Sequence, residues 1–391
     1  MSQPELRLKP REERRLRAGH LWIYSNEVDT AKTPLTAFEP GALCRVIDAR
    51  GKAMGLAYVN PGTLLAARLL TSNHKSEINA AWFANRIKSA LALRERLYDA
   101  PYYRLVYGEA DGLPGLVVDR YGEVCVVQIA TAGMERFKPD ILEGLKQVLA
   151  PAGILLANEV PMRQTEGLPA YVEEVGTVPD VVAIEEAGVR FEVPIKTGQK
   201  TGWFFDQRDN RDTLGRFVAG KTVLDVYSYV GAWSLRALKA GASAAAALDS
   251  SATALEAAAR NATLNGVTLE TIKGQALDAM REMAGRRKFD VVIVDPPALI
   301  KRKKDLEAGL SHYGAVNRAA IELLGTDGIL VSCSCSHHLE ADALQRTLLR
   351  ESRDAGRRLQ ILWQGGQGPD HPVHPAIPET RYLKAFFCRV P

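Results

Sequence analysis

The rhythm of apolar and polar positions changes twice along the chain. Up to about Leu70, short apolar runs such as Gly41–Asp48 and Ala53–Val59 are separated by Gly, Asn and Pro, which predicts a small β-rich module. Between Ser76 and about Pro194 the longer stretch Ile78–Tyr98 reads as an amphipathic helix, with Ile78, Trp82, Ile87, Leu91 and Leu97 available to a core. The turn-rich run Gly108–Gly122 then leads into a strand at Val124–Ala130, a helix at Phe137–Leu149 and strands near Ile154–Asn158 and Arg190–Val193. This predicts an α+β module in which Glu109, Asp111 and Asp119 form turns rather than an acid pair.

From about Thr197 apolar strands alternate with helices. The strand Thr222–Val226 precedes a helix from Ala232, Ala244–Leu248 precedes the helix Ala252–Leu264, and Phe289–Val294 runs into Asp-Pro-Pro. The helix Tyr313–Leu324 and the strand Gly328–Cys333 follow, and Arg381–Arg389 closes the chain as an antiparallel strand at or near an edge. Buried strands alternating with helices predict a doubly wound, mostly parallel α/β sheet of the Rossmann-like kind. The chain thus divides into residues 1–72, 73–194 and 195–391.

Composition narrows the classes. With 391 residues, 46% hydrophobic and 25% charged, the chain can bury a sizeable core, which excludes disorder and a disulfide-stapled miniprotein. A net charge of +4 permits a polyanionic partner without requiring one. Five scattered cysteines, an odd count, point to a reducing compartment. No apolar run reaches the roughly 18 residues of a membrane span, and the first residues lack a signal peptide's hydrophobic stretch. The expectation is a cytoplasmic protein without membrane association, with room left for a homodimer.

In an open α/β sheet, ligands bind beyond the carboxyl ends of the strands. After the first strand stands Asp225-Val-Tyr227-Ser228-Tyr229-Val-Gly231, with one Gly where a dinucleotide enzyme shows three. A pyrophosphate needs bare backbone at a helix N-terminus. This turn offers hydroxyls and an acid instead, which suits a cofactor with a cationic amino-acid end, S-adenosylmethionine. The second strand ends at Asp249-Ser250, where a carboxylate can hold both ribose hydroxyls; its other reading is the N-cap of the next helix. The third position reads Gln275-Ala276, and the Gln amide oxygen can accept from an adenine amino group.

The fourth strand ends Asp295-Pro296-Pro297, a corner that halts pairing and turns Asp295 toward the crevice. The fifth ends Ser332-Cys-Ser-Cys335-Ser-His-His338, with Cys335 among polar neighbours at the catalytic end. A thiolate there can add to carbon-6 of a cytosine and make carbon-5 nucleophilic, with Asp295 at the N3–N4 edge. Cys333 shares the strand parity of Cys335 and ranks second. The run Lys301-Arg302-Lys303-Lys304 beside Asp295 is read as a phosphate contact, against an ordinary solvated charge run. A predicted N-terminal helix carries Arg11, Arg14, Arg15 and Arg17, the first three at i, i+3 and i+4 spacing and so on one face; for Lys9, Arg11, Arg14 and Arg15, phosphate contact competes with a plain solvated face. His371-Pro-Val-His374 has no acidic or cysteine neighbours at ligand spacing, so no metal is expected.

Together these positions resemble the bacterial large-subunit ribosomal RNA cytosine-5 methyltransferase family, with an N-terminal PUA domain. The stretches that carry the likeness are Arg7–Pro10, Gly19–Ile23, Gly108–Gly115, Lys200–Arg211, Asp295–Pro297, Ser334–Ser336, Asp370–Val373 and Tyr382–Lys384. The resemblance implies a PUA-like RNA-binding module over 1–72, a central α+β module over 73–194 and a class I methyltransferase domain over 195–391. It also implies that Phe205, Gln207 and Arg208 line the cofactor pocket, that Cys335 is the nucleophile, and that the partner is large-subunit ribosomal RNA. Two rivals stay open on the residues: methylation of an exocyclic amine with Asp295 as acceptor, and an RNA-binding assembly factor without activity.

Overall fold

The computed structural model describes residues 3–198 and 201–391; Lys200, which opens one of the stretches above, lies outside them. The described residues form two compact units. One takes those within Met1–Val182, Pro194–Trp203 and Pro369–Thr380, the other those within Ala183–Val193, Phe204–Gly368 and Arg381–Pro391.

The first unit holds two five-stranded sheets. In one, Ala42–Ile47, Ala53–Val59 and Ala67–Thr71 pair antiparallel, flanked by Glu5–Arg7 and Trp22–Ile23. In the other, Tyr102–Tyr107, Leu116–Tyr121 and Val124–Ile129 form a meander. Gly153–Asn158 joins it in parallel after the helix Lys138–Leu149, the crossover a parallel pair needs, and Tyr171–Gly176 forms the edge. The sheets share a core because Tyr58 crosses from one to the other, its hydroxyl donating to the Pro114 carbonyl at 2.8 Å. A buried Arg68–Glu166 pair at 2.8 Å adds a second tie.

Three expectations for this unit need correction. The helix Ala80–Leu97 buries Phe83, Ile87, Ala90 and Arg94, while Leu97 is exposed. Arg94 takes the core position because Asp111 meets it in a two-pronged pair at 2.6 and 2.8 Å. Asp111 and Asp119 are therefore partners of arginines rather than plain turn formers: Asp119 lies on a strand and takes Arg104 at 2.8 Å through both oxygens. Glu109 accepts from the Trp22 indole. Finally, the N-terminal arginines do not share a helix face. Arg11 has φ +75°, ahead of a helix that spans only Glu13–Arg17, and Arg15 is held by Glu27 at 2.6 Å.

In the second unit seven strands form one sheet. They are β1 (Thr222–Val226), β2 (Ala244–Asp249), β3 (Glu270–Lys273), β4 (Phe289–Val294), β5 (Leu324–Ser334), β6 (Gln360–Gly365) and β7 (Lys384–Val390). The order is β3-β2-β1-β4-β5-β7-β6, with β7 antiparallel to both its neighbours and the other pairs parallel. The helices are α1 (Arg208–Leu214), α2 (Ala232–Lys239), α3 (Ala252–Leu264), α4 (Ala276–Met283), α5 (Leu306–Leu323) and α6 (Ala341–Asp354). Two apolar layers cover the sheet: Tyr313, Val316, Ala320, Leu344 and Leu348 pack with Val292 and Leu330, while Leu214, Trp233 and Ala237 pack with Val291, Ile293 and Phe387. Covering on both faces is why β1 and β4 read as continuous apolar runs. The order reverses between β1 and β4, which opens a crevice at their carboxyl ends. No helix among the described residues is long and apolar enough to cross a membrane.

Candidate active site

The turn after β1 is strained. Tyr227 and Tyr229 hold φ of +66° and +49°, a conformation that costs about 1–3 kcal/mol in a side-chain-bearing residue. Hydrogen bonds fix it: the N–H groups of Tyr227 and Ser228 both donate to the Leu248 carbonyl, at 2.9 and 3.1 Å. The Tyr229 N–H donates to Asp249 at 2.9 Å. Gly231, at φ +83°, then opens α2.

Asp225 lies sealed beneath this turn. One carboxylate oxygen takes the N–H and hydroxyl of Ser234 at 3.0 and 2.6 Å; the other is buried with no hydrogen-bond partner among the described residues. Burial, with the charges of Asp295 and Asp249, pushes its pKa up to about 7 despite the Ser234 bonds. The buried hydroxyl of Ser228 is likewise without a partner. Orphan polar atoms under a strained turn fit a cationic ligand.

Asp249 stays partly open. Its second oxygen takes the Ser251 N–H at 2.9 Å, and the Ser251 side chain, not Asp249, caps α3 by accepting from Ala254. The capping alternative for Asp249 is thereby removed, and its remaining lone pairs can hold ribose hydroxyls. Ser250 and Gln275 are exposed beside it, while Ala276 is buried at the start of α4.

Asp295 is held rather than loose. The Gln207 side-chain nitrogen donates to both its oxygens, and the Trp233 indole N–H donates to one at 3.0 Å. Burial still raises the Asp295 pKa to about 6, with the Asp206 charge raising it and Trp233, Arg211 and Gln207 opposing. Gln207 is aimed by Asn210, which donates to its carbonyl oxygen at 2.7 Å. Phe205 is buried, and Arg208 lies over its ring and 3.7 Å from Glu186. Both stand in the segment that carries Gln207, Phe205 directly before Asp206 and Arg208 at the start of α1. Glu186 also binds Arg211 and Arg236 at 2.6 and 2.7 Å; burial alone would raise its pKa, yet the three cations hold it at about 2.

The two cysteines of β5 part company. Cys333 is wholly buried, and burial pushes its thiol well above the usual range. Cys335 follows the end of β5, is partly exposed, and its thiol points to the Pro296 carbonyl at 3.9 Å. Cys44, Cys125 and Cys388 are buried elsewhere. The segment is locked by Tyr313, whose hydroxyl meets Ser334 and Ser336 at 2.8 and 3.0 Å. Lys384 donates to the Ser336 and Tyr382 carbonyls at 2.6 and 2.7 Å. The structure therefore gathers Gln207, Asp225, Asp249, Asp295, Pro296 and Cys335 around the carboxyl ends of β1, β2, β4 and β5.

Trp233, Asn210, Tyr313 and Lys384 were not legible as site residues. Asn210 and Lys384 fall within motif stretches, but nothing in their spacing assigns them a partner. Lys301–Lys304 are exposed, with Arg302 paired to Asp305 at 3.0 Å. Lys9, Arg11 and Arg14 are exposed as well, while Arg15 is taken by Glu27. Among the described residues no cluster of three or more His, Cys, Asp or Glu could hold a metal ion.

Comparison with known proteins bears on this arrangement. Residues 6–72 match a PUA-like domain, and residues 171–381 match the S-adenosylmethionine-dependent methyltransferases. The chain is 34% identical to a ribosomal RNA large subunit methyltransferase I of Cronobacter sakazakii, over 97% of each chain. It is equally similar to that of Klebsiella pneumoniae, over 99% of this chain and 98% of the other. In fold it is similar to a methyltransferase crystallised with SAH, at a TM-score of 0.83 and 19% identity, covering 99% of this chain and 100% of that one.

Proposed function

Because the chain belongs to the S-adenosylmethionine-dependent methyltransferase family and carries a PUA-like domain, we propose that it methylates carbon-5 of a cytosine in large-subunit ribosomal RNA through a covalent adduct at Cys335. The observation that carries this reading is the meeting of Cys335 with the Asp295–Pro296 corner, the thiol 3.9 Å from the Pro296 carbonyl, while the other four cysteines are buried. The names of its relatives support the RNA class.

Asp249 is suited to the ribose hydroxyls of the cofactor, and the unpartnered Asp225 oxygen and Ser228 hydroxyl to its cationic end. S-adenosylmethionine, when bound, supplies an electrophilic methyl group. The protein's task is to make an unreactive carbon nucleophilic. The Cys335 sulfur adds to carbon-6 of the target ring, a carbon–sulfur bond forms, and the displaced electron pair enriches carbon-5. Asp295, fixed by Gln207 and Trp233, faces the N3–N4 edge and favours the electron-rich ring when N3 carries a proton. Once carbon-5 carries the methyl group, a base takes the carbon-5 proton, the electron pair left behind restores the carbon-5–carbon-6 double bond, and the carbon–sulfur bond breaks to recover the thiolate. A paired base cannot be reached in this way, so the target leaves its stack. Lys301–Lys304 would take phosphates next to the site, and Lys9, Arg11 and Arg14 would do so on the PUA-like domain.

The test is Cys335→Ser assayed with labelled S-adenosylmethionine on ribosomal RNA from a deletion strain, followed by nucleoside mass spectrometry. Loss of turnover and 5-methylcytidine as the wild-type product are expected. Full turnover of the variant refutes the covalent route, and a nitrogen-methylated nucleoside replaces the proposal with amine methylation.

A further inference from the structure

We propose that Lys384 is the proton partner of Cys335: its amine takes the thiol proton, and the ammonium so formed holds the sulfur as a thiolate ready to attack. This rests on the reading of Cys335 as the nucleophile, and it makes Lys384 a positioning residue for that reaction.

The fold brings Lys384 to the segment that carries Cys335. Lys384 opens β7 and pairs in register with Ser334, the last residue of β5, so the chain on the facing strand passes at once to Cys335. Its Nζ is drawn back to the Ser336 and Tyr382 carbonyls, one of them in the residue next to Cys335. A tetrahedral nitrogen with two N–H groups spent on carbonyls has one position left. In the amine it is a lone pair; in the ammonium it is a third N–H. Among the described residues no group takes that position.

The electrostatics agree with the geometry. Lys384 is buried with no carboxylate in contact, and burial lowers its pKa to about 8, against the opposing pull of Cys335 and Glu340. It can therefore release and accept a proton near neutrality. Ionisable groups near the pair among the described residues include Tyr313 from α5, Glu340 ahead of α6, Cys333 on β5, and His337, whose ring lies 5.4 Å from that of Tyr382. Lys384, which feels the charge of Cys335, is thus a cation available to balance a thiolate.

The transfer balances without a further reactant. The S–H bond breaks, an N–H bond forms, and sulfur keeps the electron pair. The pair changes from neutral to zwitterionic with no change in net charge. When the sulfur adds to carbon-6 the ammonium remains, and when the carbon–sulfur bond breaks the thiolate returns to it.

The experiment follows alkylation of Cys335 by iodoacetamide against pH in the full-length protein, with the site read by peptide mass spectrometry. In the wild type the midpoint should fall below the ordinary thiol value of about 8.5. Lys384→Met should raise it by about one unit or more. Lys384→Arg, which keeps the cation, should retain the low midpoint. A wild-type midpoint at or above the ordinary value overturns the proposal, and this result stands even if Lys384→Met does not fold. So does a Lys384→Met profile that superimposes on the wild type. The alkylation profile is independent of methyl transfer, so failure of this pairing is distinguishable from failure of the covalent reading, which Cys335→Ser turnover decides.

Discussion

The side-chain nitrogen of Gln207 stands 3.0 Å from each carboxylate oxygen of Asp295. One amide group thus spans the carboxylate of a residue on another segment, and Asn210 fixes which way the amide faces. The pairing stabilises the charged form of Asp295 in a place where burial opposes it.

Removing the amide should raise the proton affinity of Asp295 further. If the ionised carboxylate serves catalysis, wild-type kcat falls as pH drops through about 6, and in Gln207→Ala this limb moves to higher pH. At neutral pH kcat should fall roughly 10- to 100-fold, the value of a hydrogen bond to a charged group. A pH–rate profile checks both, and an unmoved acid limb would separate Gln207 from the ionisation of Asp295.

Asp225 costs the fold stability at neutral pH. Its pKa is raised from an ordinary carboxylate value to about 7, so its favourable contribution is complete below about pH 4 and is lost as pH rises through about 7. Asp225→Asn cannot ionise and should lack this decline, while its cofactor affinity should drop by at least tenfold if the free oxygen meets a cation. Thermal unfolding at acid and mildly alkaline pH, beside cofactor titration calorimetry, measures the two effects. Parallel stability curves for both proteins would contradict the assignment.

Gly231 joins the strained turn to α2 at φ +83°, and a Cβ there would stand 3.1 Å from that of Ala258. Gly231→Ala should destabilise the protein by about 1–2 kcal/mol and weaken cofactor binding, because the turn and the helix start must shift together. Melting temperature and the cofactor dissociation constant should change in concert.

The exposed run Lys301–Lys304 should contribute affinity for RNA and little chemistry. Replacing its four cations by Gln should raise KM for ribosomal RNA and leave kcat with saturating RNA nearly unchanged. The slope of log affinity against log salt should become shallower by about 0.7–0.9 for each phosphate that the run neutralises in the wild type. An unchanged slope would make the run an ordinary solvated face.

Local pattern fixed what depends on neighbours in sequence. The apolar runs at Thr222–Val226 and Phe289–Val294 gave their strands, and Ala252–Leu264 its helix, because burial between two helical layers demands continuous apolar segments. The strand ends then marked Asp225, Asp249, Asp295 and Cys335, since topology alone puts strand ends at a crevice. The exposed strand β6 escaped notice, as an edge needs no buried face.

Tertiary structure decided the partners. That Arg94 replaces an apolar residue in a helix core depends on Asp111; that Cys333 is silent and Cys335 open depends on how far β5 continues under its covering helices. Arg11 leaves its helix through a backbone angle that a charge pattern does not register. Gln207 meets Asp295, and Lys384 reaches the Cys335 segment, only because distant segments fold together. Hydrogen bonding and desolvation act through space over a few ångströms, whereas periodicity records only which face of an element is dry.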